Sequence, residues 1–241
     1  MHLLPTAVST DVQTHSARLA VLPIGSFEQH GSFLPLATDT IVACAVANAA
    51  AAKNDVLLLP PLTLSCSHEH SAYPGTVSIS SRTLAATVAD VAESLEAAGI
   101  RNLILVNGHG GNYTLNNVVQ EANTKGPRMS LFPSRQDWEK ARVDAALETS
   151  AHEDMHGGEL EVSILLHVTP ELVRDEYRHG DHLASDRPHL LVLGMQGYTE
   201  SGIIGRPSLG SAEKGQALLD SLSSSFAAHL KLLDANLPGE R

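Results

Sequence analysis

The chain has 241 residues, 43% of them hydrophobic and 18% charged, with a formal net charge of −11. That is the balance of a globular chain with room for a large core; its acidity opposes binding to a nucleic-acid backbone, and no apolar run reaches the ~20 residues needed to cross a bilayer. Cys44 and Cys66 form neither a disulfide framework nor a CxxC pair, and the start lacks the basic and apolar regions of a secretion signal, so a cytoplasmic, membrane-free protein is expected.

Residues 1–17 read as a flexible N-terminus. Residues 19–24, LAVLPI, are a short apolar run and a predicted buried strand, with Pro23 suggesting an edge position or a frayed end. The loop 26–38 follows, then an Ala-rich helix over 39–53. Residues 56–59 are a second strand, and 81–98 a helix stopped by Gly99. A third strand at 102–106 runs into the turn NGHGGN, a helix over about 113–125 and a strand near 129–132. Residues 138–148 read as a polar helix, 157–167 as an apolar one, 170–210 as a loop-rich stretch, and about 212–233 as a final helix before a polar tail at 235–241. Strands and helices alternating through short links predict an α/β fold, a three-layer α/β/α arrangement with a mostly parallel sheet, in a single domain over 18–234. Ligands in such sheets bind beyond the C-terminal strand ends.

Three segments concentrate the chemistry, and the 13 histidines make them stand out. Glu28 and His30 are two apart and share a side if the segment is extended, with Asp39 at the start of the following helix. A Glu, a His and an Asp on one strand-end loop suit a divalent metal; a solvated polar loop with a helix-start acid is the blander alternative. His109 is delivered by the third strand into a turn with three glycines. That turn has neither the Lys-Ser/Thr of a phosphate loop nor dinucleotide-fingerprint spacing. In the third segment, His156 precedes Gly157-Gly158, and Glu159 opens an apolar helix. Glu159 and Glu161 cannot share a helical face, so only one is expected to look into a site, while His152 and Glu153 are expected to face solvent. His68-Glu69-His70 could supply two metal ligands or one substrate-facing histidine. Trp138 could be core or pocket wall, Cys44 is expected to be buried and inert, and Cys66 is a weak candidate nucleophile.

Residues 23–31 (PIGSFEQHG), 34–39 (LPLATD), 107–112 (NGHGGN) and 156–161 (HGGELE) together resemble the creatinine amidohydrolase (creatininase) family. So do Glu69-His70, Pro74-Gly75-Thr76, Gly205-Arg206-Pro207 and Ala212-Glu213-Lys214-Gly215, so the resemblance runs from about 20 to 230. Within the family the chain looks most like the mycofactocin-system branch, peptidases that act on a ribosomally made precursor. The resemblance implies two divalent ions, Zn, Fe(II) or Mn: Glu28 and His109 on one, His30 on the other, Asp39 bridging. Creatinine-cleaving members carry a glutamate ligand where this chain has Gly111, and the missing carboxylate is then expected to be Glu159. That departure counts against creatinine as substrate more than against the metal site. His156 would donate a proton to the departing nitrogen, and His70 would orient or stabilise the carbonyl oxygen. The implied substrate is a modified precursor peptide, cut to release a decarboxylated, cross-linked C-terminal Val–Tyr unit; the alternative is a formamide or small cyclic amide. Relatives are ring-shaped or stacked homo-oligomers, often hexamers. A non-catalytic metal-binding scaffold and a phosphate- or nucleotide-binding enzyme are the readings from other classes.

Overall fold

The computed structural model describes residues 3–15 and 18–234. The polar tail expected at 235–241 lies outside the described residues. Four strands, β1 (Leu19–Ile24), β2 (Leu57–Leu58), β3 (Asn102–Asn107) and β4 (Met129–Phe132), form one parallel sheet in the order β2-β1-β3-β4. β1 is buried along its whole length and pairs with β3 from Leu19↔Asn102 to Ile24↔Asn107. Both strands carry apolar residues at successive positions because helices cover both faces of the sheet. Alternation then sorts the side chains. Leu19, Val21, Ile104 and Val106 enter one core with helices α2 (Thr38–Ala51), α5 (Arg135–Asp144), α6 (Glu159–Val168) and α8 (Ala212–Asp234). Ala20, Leu22, Leu103 and Leu105 enter the other, against α3 (Ser81–Ala97) and α4 (Thr114–Ala122). The three-layer α/β/α arrangement is thus present.

Local chemistry sets the element ends. Leu84, Val88, Ala92 and Leu95 form the buried stripe of α3, and the Ser80 hydroxyl accepts the Thr83 N–H at its start. Ser134 and Asp137 form a capping box, so α5 begins at Arg135 rather than at 138. α6 begins at Glu159, because Gly157 has φ +65 and Gly158 is extended. Two expectations are corrected. Ser9–His15 form a helix, α1, inside the stretch expected to be flexible. β1 is central despite Pro23. The proline is tolerated because β2 pairs only with Ala20 and Val21; beside Pro23 the neighbour is Leu62, whose N–H donates to the Pro23 carbonyl. The 170–210 stretch is loop-rich as expected, and its one α-helix is the short α7 (Leu190–Leu193). Among the described residues no helix is long and apolar enough to cross a membrane.

One packing contact positions the site. A Cβ at Gly25, just past β1, would overlap the Thr40 backbone, and one at Gly108, just past β3, would overlap the Asp39 carbonyl oxygen. The start of α2 therefore lies directly on the ends of the two central strands. Gly108→Ala pits a methyl group against backbone that cannot rotate away. It is expected to cost about 1–3 kcal/mol, lowering Tm by several degrees in thermal denaturation. Gly110→Ala, where nothing lies within 4 Å of the added carbon, is expected to shift Tm by no more than about 2 °C.

Candidate metal centre

The loops leaving the C-terminal ends of β1, β2 and β3, together with the entry to α6, converge above the sheet. They deliver Glu28, His30, Asp39, His70, His109 and His156, each no more than 5% exposed. Removing so many polar groups from water demands that their charges and lone pairs be matched inside the protein.

Asp39 is the centre of the arrangement. Its Oδ1 lies 3.2 Å from His30 Nε2, and its Oδ2 lies 3.2 Å from His109 Nδ1. The same His109 nitrogen is 3.3 Å from Glu28 Oε1, and His30 Nε2 is 3.7 Å from Glu161 Oε1. The far side of each ring meets a backbone carbonyl: His30 Nδ1 lies 3.0 Å from Glu28 O, and His109 Nε2 lies 2.8 Å from Cys66 O. A carbonyl only accepts, so those nitrogens carry the protons. The nitrogens that face the carboxylates are left with lone pairs pointing at negative oxygens. Such a contact holds only with positive charge on it, either a second proton that makes the ring an imidazolium or a metal ion. Burial pushes His30 down, yet the Asp39 charge, reinforced by Glu161, carries it well above the usual histidine range. His109 is raised in the same way, against burial, by Glu28 and then Asp39. Against its own burial, the two imidazoles hold Asp39 well below the usual carboxylate range.

The site answers the metal question through its unmatched atoms. Glu28 Oε1 and Asp39 Oδ2 are buried without any hydrogen-bond partner. Two donor groups sharing Asp39 have their ligand atoms within 4.8 Å of one another: Glu28–Asp39–His109 and His30–Asp39–Glu161. Donors around a tetrahedral ion with bonds of about 2.0–2.1 Å sit about 3.3 Å apart, which matches the 3.2–3.3 Å separations at Asp39 and Glu28. The residues fit divalent ions of the mixed N/O-binding kind.

Glu159, the expected fifth ligand, is not in this cluster. Its carboxylate points to the opposite side of α6. There it accepts the backbone N–H of Glu148 (3.1 Å) and Thr149 (3.0 Å), the Thr149 hydroxyl (2.6 Å) and the Lys214 ammonium (2.6 Å). Glu161, two residues on, turns to His30 instead. The helical period allows only one of the two to face the sheet end, and the packing of α6 on α8 selects the second. The expected choice between them is corrected accordingly. At Gly111 a side chain would collide with the Glu69 carboxylate, whose Oε1 stands 3.5 Å from His109 Nε2. That space is filled by a residue from another loop.

His70 Nε2 is 3.2 Å and His156 Nδ1 is 3.7 Å from Glu28 Oε1, and the two rings lie 4.3 Å apart. Burial and the neighbouring imidazoles hold both below the usual histidine range. His156 also falls within reach of Glu28 and His30 as a third donor group. Glu28 is held by its other oxygen: Ser26 donates to Oε2 (2.8 Å) and is itself bonded to Ser67. His68 and His152 are exposed, and Glu153 is bonded to Ser150. Burial pushes the thiol of Cys44 up to about 11 and also raises that of Cys66, so neither is an activated nucleophile. Two cavities of about 310 Å³ each share His109, Gly110, Met155 and Glu161 in their walls. One continues past His70, His156 and Arg187, the other past Trp138, Arg135 and Leu160. Trp138 is both a cavity wall and packed on the core.

The residues that the sequence reading missed are Glu161, Gln29 and Ser67. The Glu159/Glu161 pair signalled that one acid faces the site, but nothing in the chain told which. Gln29 lies between two candidate ligands and was legible as a neighbour of both, without a role.

The family model "Creatininase: Creatinine amidohydrolase" matches residues 6–230. The mycofactocin precursor peptide peptidase of Mycolicibacterium smegmatis is 33% identical over 92% of this chain and 89% of its own length. The creatinine amidohydrolase of Pseudomonas putida is 27% identical over 83% of this chain and 84% of its own. Among solved structures, a creatinine amidohydrolase (creatininase) covers 99% of each chain with a TM-score of 0.79 at 21% identity. A creatininase described as the Mn form superimposes with a TM-score of 0.79 at 22% identity, covering 99% of this chain and all of the other. The matches span nearly the whole chain, and the chain belongs to the creatininase family of amide-bond hydrolases.

Proposed function

We propose that this amide-bond hydrolase is a metal-dependent peptidase that releases the C-terminal Val–Tyr-derived unit from the modified mycofactocin precursor peptide. The observation that carries the reading is the pair of donor groups joined by Asp39, with buried carboxylate oxygens that lack partners. In this reading Glu28, Asp39 and His109 would hold one ion, and His30, Asp39 and Glu161 the other. When bound, two divalent ions supply Lewis-acid polarisation of the amide carbonyl and a water acidified to near neutrality.

The chain's own residues do the rest. Ser26 and Ser67 hold Glu28 by one oxygen and leave the other free. Burial keeps His156 neutral and therefore able to accept the proton released by the attacking water, then to return it to the departing nitrogen. His70 stands beside it to orient the amide oxygen. The two cavities that meet at His109 and Glu161 favour a peptide over a small ring, because a chain needs room on both sides of the bond that breaks. The identity to the M. smegmatis peptidase supports the same substrate. A homo-oligomer is part of the proposal: Leu191 and Val192 on α7 are more than four-fifths exposed and offer an apolar contact surface. Sedimentation of the native chain should give a mass of several subunits, and a monomer at micromolar concentration would remove this element.

Glu161→Gln is expected to reduce the metal content of the purified protein from two ions per chain to about one. Glu159→Gln should keep both ions and lose stability, because Lys214 loses its buried carboxylate and keeps only Glu148 and the Leu209 carbonyl. Elemental analysis alongside thermal denaturation reads both, and the reverse pattern would return Glu159 to the site. For the reaction, mass spectrometry of the metal-replete protein with the modified precursor should show release of the C-terminal unit, with Glu28→Ala inactive. No release with both ions bound would move the substrate to a formamide or small cyclic amide.

A further inference from the structure

Gln29 lies between His70 and His156, and its amide can be oriented in only one way. Its Oε1 meets the Gly31 N–H at 3.0 Å, which can only donate, and its Nε2 meets the Gly202 carbonyl at 2.9 Å, which can only accept. The amide is therefore locked by backbone at both ends. A Cβ at residue 202, where φ is +82, would overlap the Gln29 amide, so glycine there lets the side chain lie flat against the backbone.

The second Nε2 hydrogen then points at His70 Nδ1, 3.0 Å away. An amide N–H makes that ring nitrogen an acceptor, so the His70 proton resides on Nε2, the atom facing Glu28. The backbone carbonyl of the same residue accepts from His156 Nε2 at 2.7 Å. That contact needs a proton on Nε2 of His156, which leaves its Nδ1 bare on the site side. The 3.2 Å approach of Gln29 Nε2 to His156 Nε2 is then a packing contact, since both amide hydrogens are already used at shorter range.

We propose that Gln29 is a positioning residue that fixes His70 and His156 in the same Nε2–H tautomer while they turn opposite nitrogens to the site, His70 presenting its N–H through the hold of the side-chain amide and His156 its bare Nδ1 through the hold of the backbone carbonyl. A donor and an acceptor side by side are what amide hydrolysis requires: one hydrogen bond to the carbonyl oxygen, and one lone pair for the proton of the attacking water. The division of labour rests on the hydrolase reading above, but the tautomers themselves do not. Because the two controls are separate, a side-chain substitution reverses His70 alone. In Gln29→Glu a carboxylate replaces the amide, can only accept, and draws the His70 proton to Nδ1.

Neutron diffraction from deuterated crystals of the full-length zinc-loaded protein reads this directly, without any substrate. The wild-type map is expected to show deuterium on Nε2 of both His70 and His156 and on neither Nδ1. Deuterium on Nδ1 of His70 or on Nδ1 of His156 would overturn the proposal. In Gln29→Glu, with both zinc ions retained, deuterium should move to Nδ1 of His70 and stay on Nε2 of His156. With the modified precursor peptide as substrate, kcat should fall by about 100-fold while KM changes less than threefold. Gln29→Met, which keeps the shape and loses the hydrogen bonds, should lower kcat to an intermediate level. If the Gln29→Glu map keeps deuterium on His70 Nε2, Gln29 does not set the tautomer. If the maps behave as expected and the peptide is not cleaved even by wild type, the positioning role stands and only the substrate assignment fails.

Discussion

The buried carboxylate of Asp39 is the constraint around which the site is organised. It sits in the first turn of α2, where the positive end of the helix dipole favours an acid. That helix end rests on the ends of β1 and β3 because Gly25 and Gly108 allow backbone to meet backbone. One oxygen then faces His30 from the loop after β1, and the other faces His109 from the loop after β3. A charge so deeply buried is stable only when paired. Here the pairing groups present lone pairs, so the pocket as built demands positive charge, in the form of protons or metal ions. The same field that makes His30 and His109 unusually basic is the field that would hold divalent cations.

The layer behind these groups is mostly backbone. His30 leans on the Glu28 carbonyl, His109 on the Cys66 carbonyl and His156 on the Gln29 carbonyl. Ring orientation in the site is therefore a consequence of loop conformation more than of side-chain packing. Partners of this kind fix which imidazole nitrogen is free, and so fix the chemistry each ring can perform. Where side chains do enter this layer, as Ser26, Ser67 and Gln29 do, they are small or have their rotation arrested by several hydrogen bonds.

α6 carries His156 at its entrance and Glu161 in its first turn, and it is fastened from behind by charges that take no part in the cluster. Glu159 accepts from Lys214 of α8 and from the chain at Glu148 and Thr149. Asp154 accepts the N–H groups of Glu159 and Leu160 and the guanidinium of Arg142 from α5. Breaking a buried pair of this kind by removing one partner typically costs about 3–5 kcal/mol. Two acids separated by a single residue thus serve different ends, one anchoring the helix and one facing His30.

Much of this was legible in the chain itself. Short apolar runs alternating with helical segments determined a parallel three-layer α/β fold, because a strand with apolar residues at successive positions must be covered on both faces. Separated motifs placed Glu28, His30, Asp39 and His109 at the strand ends, where a parallel sheet presents its ligands. The family, too, is carried by residues that can be read in order along the sequence. What tertiary structure alone decided was direction. Glu159 and Glu161 carry the same carboxylate and both follow His156 within a few residues, and only the rotation of α6 against α8 distinguishes the anchor from the site-facing acid. Gln29 acquires its role from Gly202, 173 residues away in sequence, and the room left by Gly111 is filled by Glu69 from another loop. Composition and periodicity report which face of an element is apolar. They do not report how that element is turned about its own axis within the core, and in this protein that turn determines which polar groups meet.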